Sequence, residues 1–265
     1  MSRYEAITLN GGRAWVLSSR REMIKKVDAV VFDCDGVLVD THASYDATII
    51  MVADRMVEEL LGAHLPWGRI GPPLIRMLRR TGGFNSDWNT TYALIIFSCL
   101  CLSARDGARP KIARDEIERV PARLYRMTKA FCSSSPGVGY RAVDDFATGG
   151  ASAARAEAIK KIVNQLGYPG TPPECKMATL FDELYHGAEL FKQMYGFVPR
   201  YYNGRGMIER EKVIIREGQL KRLARMMGRS MALARTRRNV MAWGMASRWV
   251  DGSSDHPGVG VDPPP

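Results

Sequence analysis

The chain has 265 residues, 46% hydrophobic and 25% charged, enough for one sizeable core or a core with a smaller appended domain; a disordered chain and a peptide scaffold are excluded. Lys and Arg number 38 against 28 Asp and Glu, a net charge of +10, which is compatible with a polyanion, a phosphorylated substrate or an acidic surface and does not choose among them. The excess is local: from Arg200 to Val240 twelve Lys or Arg stand against three Glu, a net +9.

Residues 4–17 read as two short extended segments around the turn signal Asn10-Gly11-Gly12, a hairpin pattern. Val27 to Phe32 is a β-branched run ending at Asp33, the pattern of a buried parallel strand with polar residues at its carboxyl end, where open α/β sheets bind ligands. From Ser44 to about Pro199 apolar residues recur at helical spacing in DATIIMVADRMVEELL, ARDEIERVPARLYRMTKAF and MATLFDELYHGAELFKQMY. Breaks are expected at Gly71-Pro72-Pro73, Gly82-Gly83, Pro136-Gly137, Gly149-Gly150 and Pro169 to Pro173. A basic helix is expected over about 208–227 and a short strand around 231–233. The stretch after that has no helical or strand period, ends in Gly and Pro, and is expected to be poorly ordered.

Five cysteines without a CxxC pair and four scattered histidines make no zinc-like grouping and fit a reducing, cytoplasmic compartment. The N-terminus lacks the apolar run of a signal peptide, and the longest apolar stretch, Tyr92 to Leu102, is far short of the roughly 20 residues that cross a bilayer. A soluble protein with no membrane partner is expected. The arginines at 222, 225, 229, 235, 237 and 238 lack interleaved aromatics and a recognised module, so nucleic acid is not the expected partner; a solvated face or nonspecific anion binding is.

The residues that carry chemistry are Val30-Val31-Phe32-Asp33-Cys34-Asp35-Gly36-Val37-Leu38-Val39-Asp40. Two carboxylates at i and i+2 beyond a hydrophobic strand, followed by Gly, can present one side chain and a nearby backbone carbonyl to a hard cation such as Mg²⁺ while the other carboxyl stays free for proton transfer. A bare DxDG also serves as an ordinary turn, and the longer string is what gives the pattern specificity.

VVFDCDGVLVD resembles the first motif of the haloacid dehalogenase superfamily, in the branch whose helical cap is inserted between the first and second core motifs. The resemblance implies an α/β, Rossmann-like core with a large α-helical cap, a Mg²⁺ cofactor, and phosphatase chemistry on a small phosphorylated substrate. Asp33 would be the nucleophile that forms an aspartyl phosphate, Asp35 the acid and base, and both would hold the metal. An acid at position 35 favours a phosphatase over a dehalogenase, because a halide leaves without a proton. The implied layout is a first core segment at 1–42, the cap at 43–200, a helix returning to the core at 201–230 and a degenerate tail at 231–265. Gly82 to Tyr92 and Leu180 to Gly187 also resemble helical caps of this superfamily, which makes Asn85, Asp87 and Trp88 candidates for substrate contact; the alternative is a helix N-terminus with a packed Trp.

The family's later motifs are a strand ending in Thr or Ser, a Lys, and a strand ending in acids. No lysine follows Lys221, and only 29 residues follow Thr236, against roughly 30 for each strand and helix crossover. The core is therefore expected to be incomplete, as in a truncated or frameshifted member, and a catalytically inactive, anion-binding protein is the alternative function.

Overall fold

The computed structural model describes residues 4–9, 12–26, 32, 35–102, 114–134, 139–216, 218–219, 221–222, 232–235 and 241–244. The chain divides into two compact units, one of residues 1–40 and 212–265 and one of residues 41–211.

In the first unit, β1 (Tyr4–Leu9) and β2 (Gly12–Leu17) pair antiparallel, with Leu9 opposite Gly12. That register leaves two residues for the turn, as the Asn-Gly signal requires. A 3-10 segment, Ser18–Lys26, follows. β3 (Val39–Asp40) pairs antiparallel with β4 (Lys212–Val213), and β5 (Ala232–Arg235) with β6 (Met241–Gly244). All three sheets of the described residues are two-stranded and antiparallel. The parallel sheet of an α/β core is thus not among them, and the strand expected at 27–32 lies outside the described residues except for Phe32, which is not in a strand.

The basic helix expected over about 208–227 is corrected at its start: Met207–Arg210 form one 3-10 turn and Lys212–Val213 a strand, while residues 218–219 and 221–222 are helical. The β-branched run Val213-Ile214-Ile215 suits an extended chain, and the Ile214 N–H donates to the Leu38 carbonyl at 2.8 Å, so tertiary pairing overrides local helix propensity. The short strand expected around 231–233 is present as β5, and its partner β6 lies in the stretch expected to lack order, where four residues are too short to reveal a period of two in sequence.

The second unit is helical: α1 (His42–Leu61), α2 (Trp67–Arg79), α3 (Asp87–Leu102), α4 (Arg114–Ser134), α5 (Gly139–Thr148), α6 (Ala153–Leu166), α7 (Lys176–His186) and α8 (Ala188–Tyr195). α3 is central. Every residue from Thr90 to Leu102 is buried, which is how a helix apolar all round must be placed, and α1, α2, α4, α5 and α7 pack around it. Its hydroxyls stay satisfied by bonding back along the helix: Thr91 Oγ1 donates to the Asp87 carbonyl at 2.7 Å and Ser98 Oγ to that of Leu94 at 2.6 Å. Phe84, Phe97, Phe131 and Phe146 meet edge to face with centroids 5.1–5.8 Å apart, which ties α3, α4 and α5 together. No helix of the described residues is long and apolar enough to cross a membrane.

The break expected at Gly71-Pro72-Pro73 does not occur, because α2 runs through it. Each interior proline costs about 3 kcal/mol. Burial of Ile70, Leu74, Ile75 and Leu78 on one face offsets that loss, at about 1.5–3 kcal/mol per large side chain. Gly82-Gly83, Gly149-Gly150 and the 169–173 segment do separate helices, while Pro136-Gly137 lies outside the described residues.

Gly187, at φ 75°, divides α7 from α8 and crosses the 204–206 backbone: it bridges Arg205, and the Ala188 N–H donates to the Gly204 carbonyl at 3.0 Å. A Cβ on Gly206 would lie 2.6 Å from the Tyr185 carbonyl oxygen and closer still to that of His186. Backbone cannot step aside as a side chain can, so Gly206→Ala is expected to lower unfolding free energy by about 3 kcal/mol. Gly71→Ala, whose Cβ would meet the side chain of Ile50 at Cδ1 and Cγ1, both at 2.8 Å, and no backbone, is expected to stay within about 1 kcal/mol of the parent because that half-buried side chain can turn and helix propensity improves. Urea midpoints of the two variants check this, and equal losses would refute it.

Candidate functional site

The motif residues Asp33 and Cys34 lie outside the described residues. Asp35 is described, and it is exposed. It bridges Val39, and the Gly36 N–H donates to the Val39 carbonyl at 2.7 Å, so residues 35–39 close a tight loop. Gly36 holds φ 73° with open space around its α-carbon; the left-handed backbone, not crowding, is what calls for glycine there. Leu38 and Val39 are buried and anchor the loop, which leaves Asp35 at the surface. An exposed carboxyl at that point is accessible for proton transfer. Among the described residues no group of three or more His, Cys, Asp or Glu is placed to hold a metal ion; of the two motif acids expected to hold one, Asp35 is the one described.

The other candidates sit in the helical unit, at the junction of α2 and α3. Asn85 is exposed in the connecting loop, and Asp87 and Trp88 are the first residues of α3. Arg79, in the last turn of α2, donates to Asp87 Oδ1 at 2.9 Å and to Asp46 Oδ1 at 2.7 Å, which links the starts of α1 and α3. An acid in a first turn and an arginine in a last turn both complement their helix dipoles. Trp88 Nε1 donates to Asp182 Oδ1 at 3.2 Å, and the Tyr195 hydroxyl donates to Asp182 Oδ2. The structure thus brings Asp87 and Trp88 into one region of the helical unit as members of its internal bonding, with Asn85 exposed in the loop before them.

Several members of this region carry no motif signal. Glu183 is fully buried and accepts from the backbone N–H groups of Arg200, Tyr201 and Tyr202 at 2.6, 2.7 and 2.8 Å. Glu211 Oε1 accepts from Ser44 Oγ at 2.6 Å and from the Tyr185 hydroxyl at 2.8 Å, while Tyr185 stacks on Tyr45 at 4.5 Å. Burial, Tyr45 and Glu211 push the Tyr185 phenol up. The one sequence trace is the pair Asp182-Glu183, two acids set inside the apolar run Leu180 to Tyr185, where helical period demands burial.

Burial pushes the Asp182 carboxyl up to about 6, against the opposing effect of the Tyr195 and Trp88 hydrogen bonds. Between pH about 4 and 6 the folded chain therefore holds a proton that the unfolded chain has lost, and stability falls as pH rises through that window. Half-buried Asp144, bonded by the Tyr92 hydroxyl at 2.5 Å, is raised for the same reason and adds to the slope. Asp182→Asn keeps the Trp88 acceptor, so the variant is expected to be more stable than the parent at pH 7 by on the order of 2 kcal/mol and equal to it near pH 3.5. Urea unfolding across this range checks it, and parallel profiles would refute it.

No family model matches the chain, and no curated protein matches it. Among solved structures it is similar to one described as phosphatase Tt82 from Thermococcus thioreducens, at 22% identity and a TM-score of 0.42. The match covers 73% of this chain and 57% of that one, so this chain spans less than two thirds of that structure's length.

Proposed function

We propose that the chain is a Mg²⁺-dependent phosphohydrolase of the haloacid dehalogenase type, acting on a small phosphorylated metabolite in the cytoplasm through an aspartyl phosphate on Asp33. The observation that carries this reading is VVFDCDGVLVD, together with the Gly36 turn that leaves Asp35 exposed two residues after Asp33. The helical unit begins at Thr41, directly after the motif, and this supports a role for it as the cap.

In the proposed reaction an Asp33 oxygen bonds to phosphorus as the bond from phosphorus to the ester oxygen breaks, and Asp35 passes its proton to the departing oxygen. Asp35, then ionised, takes a proton from water as the water oxygen attacks phosphorus; phosphate leaves and the Asp33 carboxylate is restored. Asp33 through its carboxylate and Asp35 through its backbone carbonyl would hold Mg²⁺, which when bound neutralises charge on the phosphoryl group and leaves the Asp35 carboxyl free for proton transfer. Among the three substrate-contact candidates, Asp87 and Trp88 already bond within the helical unit, so exposed Asn85 is the one that reaches a substrate without breaking those bonds.

Hydrolysis of p-nitrophenyl phosphate by the purified 265-residue chain tests this reading. Turnover removed by EDTA and restored by Mg²⁺ is expected. A folded chain without turnover above buffer would overturn it in favour of an inactive, anion-binding protein.

A further inference from the structure

Within the helical unit, Arg123 and Arg126 of α4 and Arg155 of α6 line a cavity of about 880 Å³. That volume lies in the range of small-molecule sites. The floor is apolar, made by Cys101, Met127 and Phe146, and Asp145 is the one acid in the lining among the described residues. Ion pairs of the described residues engage other arginines, including Arg55, Arg79 and Arg205, and none engages these three. All three guanidiniums favour the thiolate of buried Cys101, although burial outweighs them and pushes the thiol up to about 11; the positive charge therefore converges over the cavity floor. Arg123 and Arg126 stand at i and i+3, where like charges destabilise a helix by a few tenths of a kcal/mol.

The cavity is also separate from the polar region at the start of α3. Trp88 and Cys101 are thirteen residues apart on one helix, about 20 Å at 1.5 Å per residue.

We propose that this cavity binds a small amphiphilic anion, a ring or short apolar body bearing one phosphate, sulfonate or carboxylate, with the guanidiniums on the acidic group and Met127 and Phe146 against the body. Guanidinium forks match such oxyanions in geometry as well as charge, and the apolar floor adds affinity that a bare ion cannot gain. The site uses no residue of the Asp33–Asp35 motif and stands apart from the phosphohydrolase reading.

Calorimetric titration of the full chain with naphthalene-1-sulfonate, which a phosphohydrolase does not cleave, tests the site beside inorganic sulfate. Naphthalene-1-sulfonate is expected to bind at least about tenfold more tightly than sulfate, and Arg126→Ala with Arg155→Ala to weaken it at least about tenfold. Arg76→Ala with Arg80→Ala, away from this cavity, is expected to change nothing. Both substituted arginines in the cavity are exposed, and thermal melts confirm folding; if the double variant unfolds, Arg155→Gln alone replaces it, with a weakening of about threefold expected. No heat up to about 5 mM ligand, sulfate binding as tightly as the sulfonate, or unchanged affinity in a folded cavity variant would each overturn the proposal.

Discussion

Asp33→Asn is expected to reduce Mg²⁺-dependent hydrolysis to the buffer rate, a loss of at least about a thousandfold, because an amide oxygen cannot form the aspartyl phosphate on which the proposed route depends. Asp35→Asn removes a proton donor instead of the nucleophile, and general acid and base catalysis contributes about 10² to 10⁴. The two positions therefore separate by leaving group. With p-nitrophenyl phosphate, whose phenolate departs with little need of a proton, Asp35→Asn should lose mainly the second, water-activating step, and phosphate should accumulate on Asp33. With an alkyl phosphate the first step fails as well, and the loss should be larger. Burst kinetics and mass spectrometry of acid-quenched protein read out the two cases. Equal effects of Asp35→Asn on both esters, with no phosphorylated protein, would refute its assignment as acid and base.

Glu183→Ala is expected to have the largest effect on stability of any single charged residue in the helical unit, a loss of about 3 kcal/mol. Three successive N–H groups, from Arg200 to Tyr202, form a concave nest that the carboxylate fills with bonds of 2.6 to 2.8 Å. Hydrogen bonds to an ionised group are worth about 1.5–3 kcal/mol each. Arg200 and Tyr201 are exposed, so water recovers part of the sum in the variant. Glu183→Gln keeps one oxygen, enough for two of the donors, and turns an NH₂ toward the third; about half the loss is expected. Urea unfolding measures the totals, and faster hydrogen exchange confined to residues 200–202 would locate the cause. Wild-type stability in Glu183→Ala would refute the assignment.

The local features legible in the sequence were those set by short-range physics. The hairpin at 4–17 follows from its Asn-Gly turn, and α1, α4 and the α7–α8 pair follow from apolar spacing of three and four. The division of α7 from α8 at Gly187 was hidden inside one apparent helix, because its left-handed φ answers to the backbone of Gly206, nineteen residues on. The prolines of α2 misled in the opposite sense: their local cost is real, but a buried face outweighs it. The antiparallel partner of Val39–Asp40 lies 172 residues away by sequence number, at Lys212–Val213, beyond any periodicity argument.

The candidate site divides along the same line. Sequence by itself determined the DxDG pattern and the concentration of positive charge after Arg200, since each depends on residue types at fixed short spacing, and it left the helix start at Asp87 and Trp88 as one of two readings; the left-handed φ that calls for glycine at 36 came from the structure. Tertiary structure alone decided that Arg79 joins Asp46 to Asp87, that Asp182 holds Trp88 and Tyr195, that Glu183 caps the 200–202 nest, and that Arg123, Arg126 and Arg155 gather over one cavity. The physical reason is that a hydrogen bond or a convergence of charges is fixed by distance in space, and helices packed around α3 bring together residues whose separation along the chain carries no pattern.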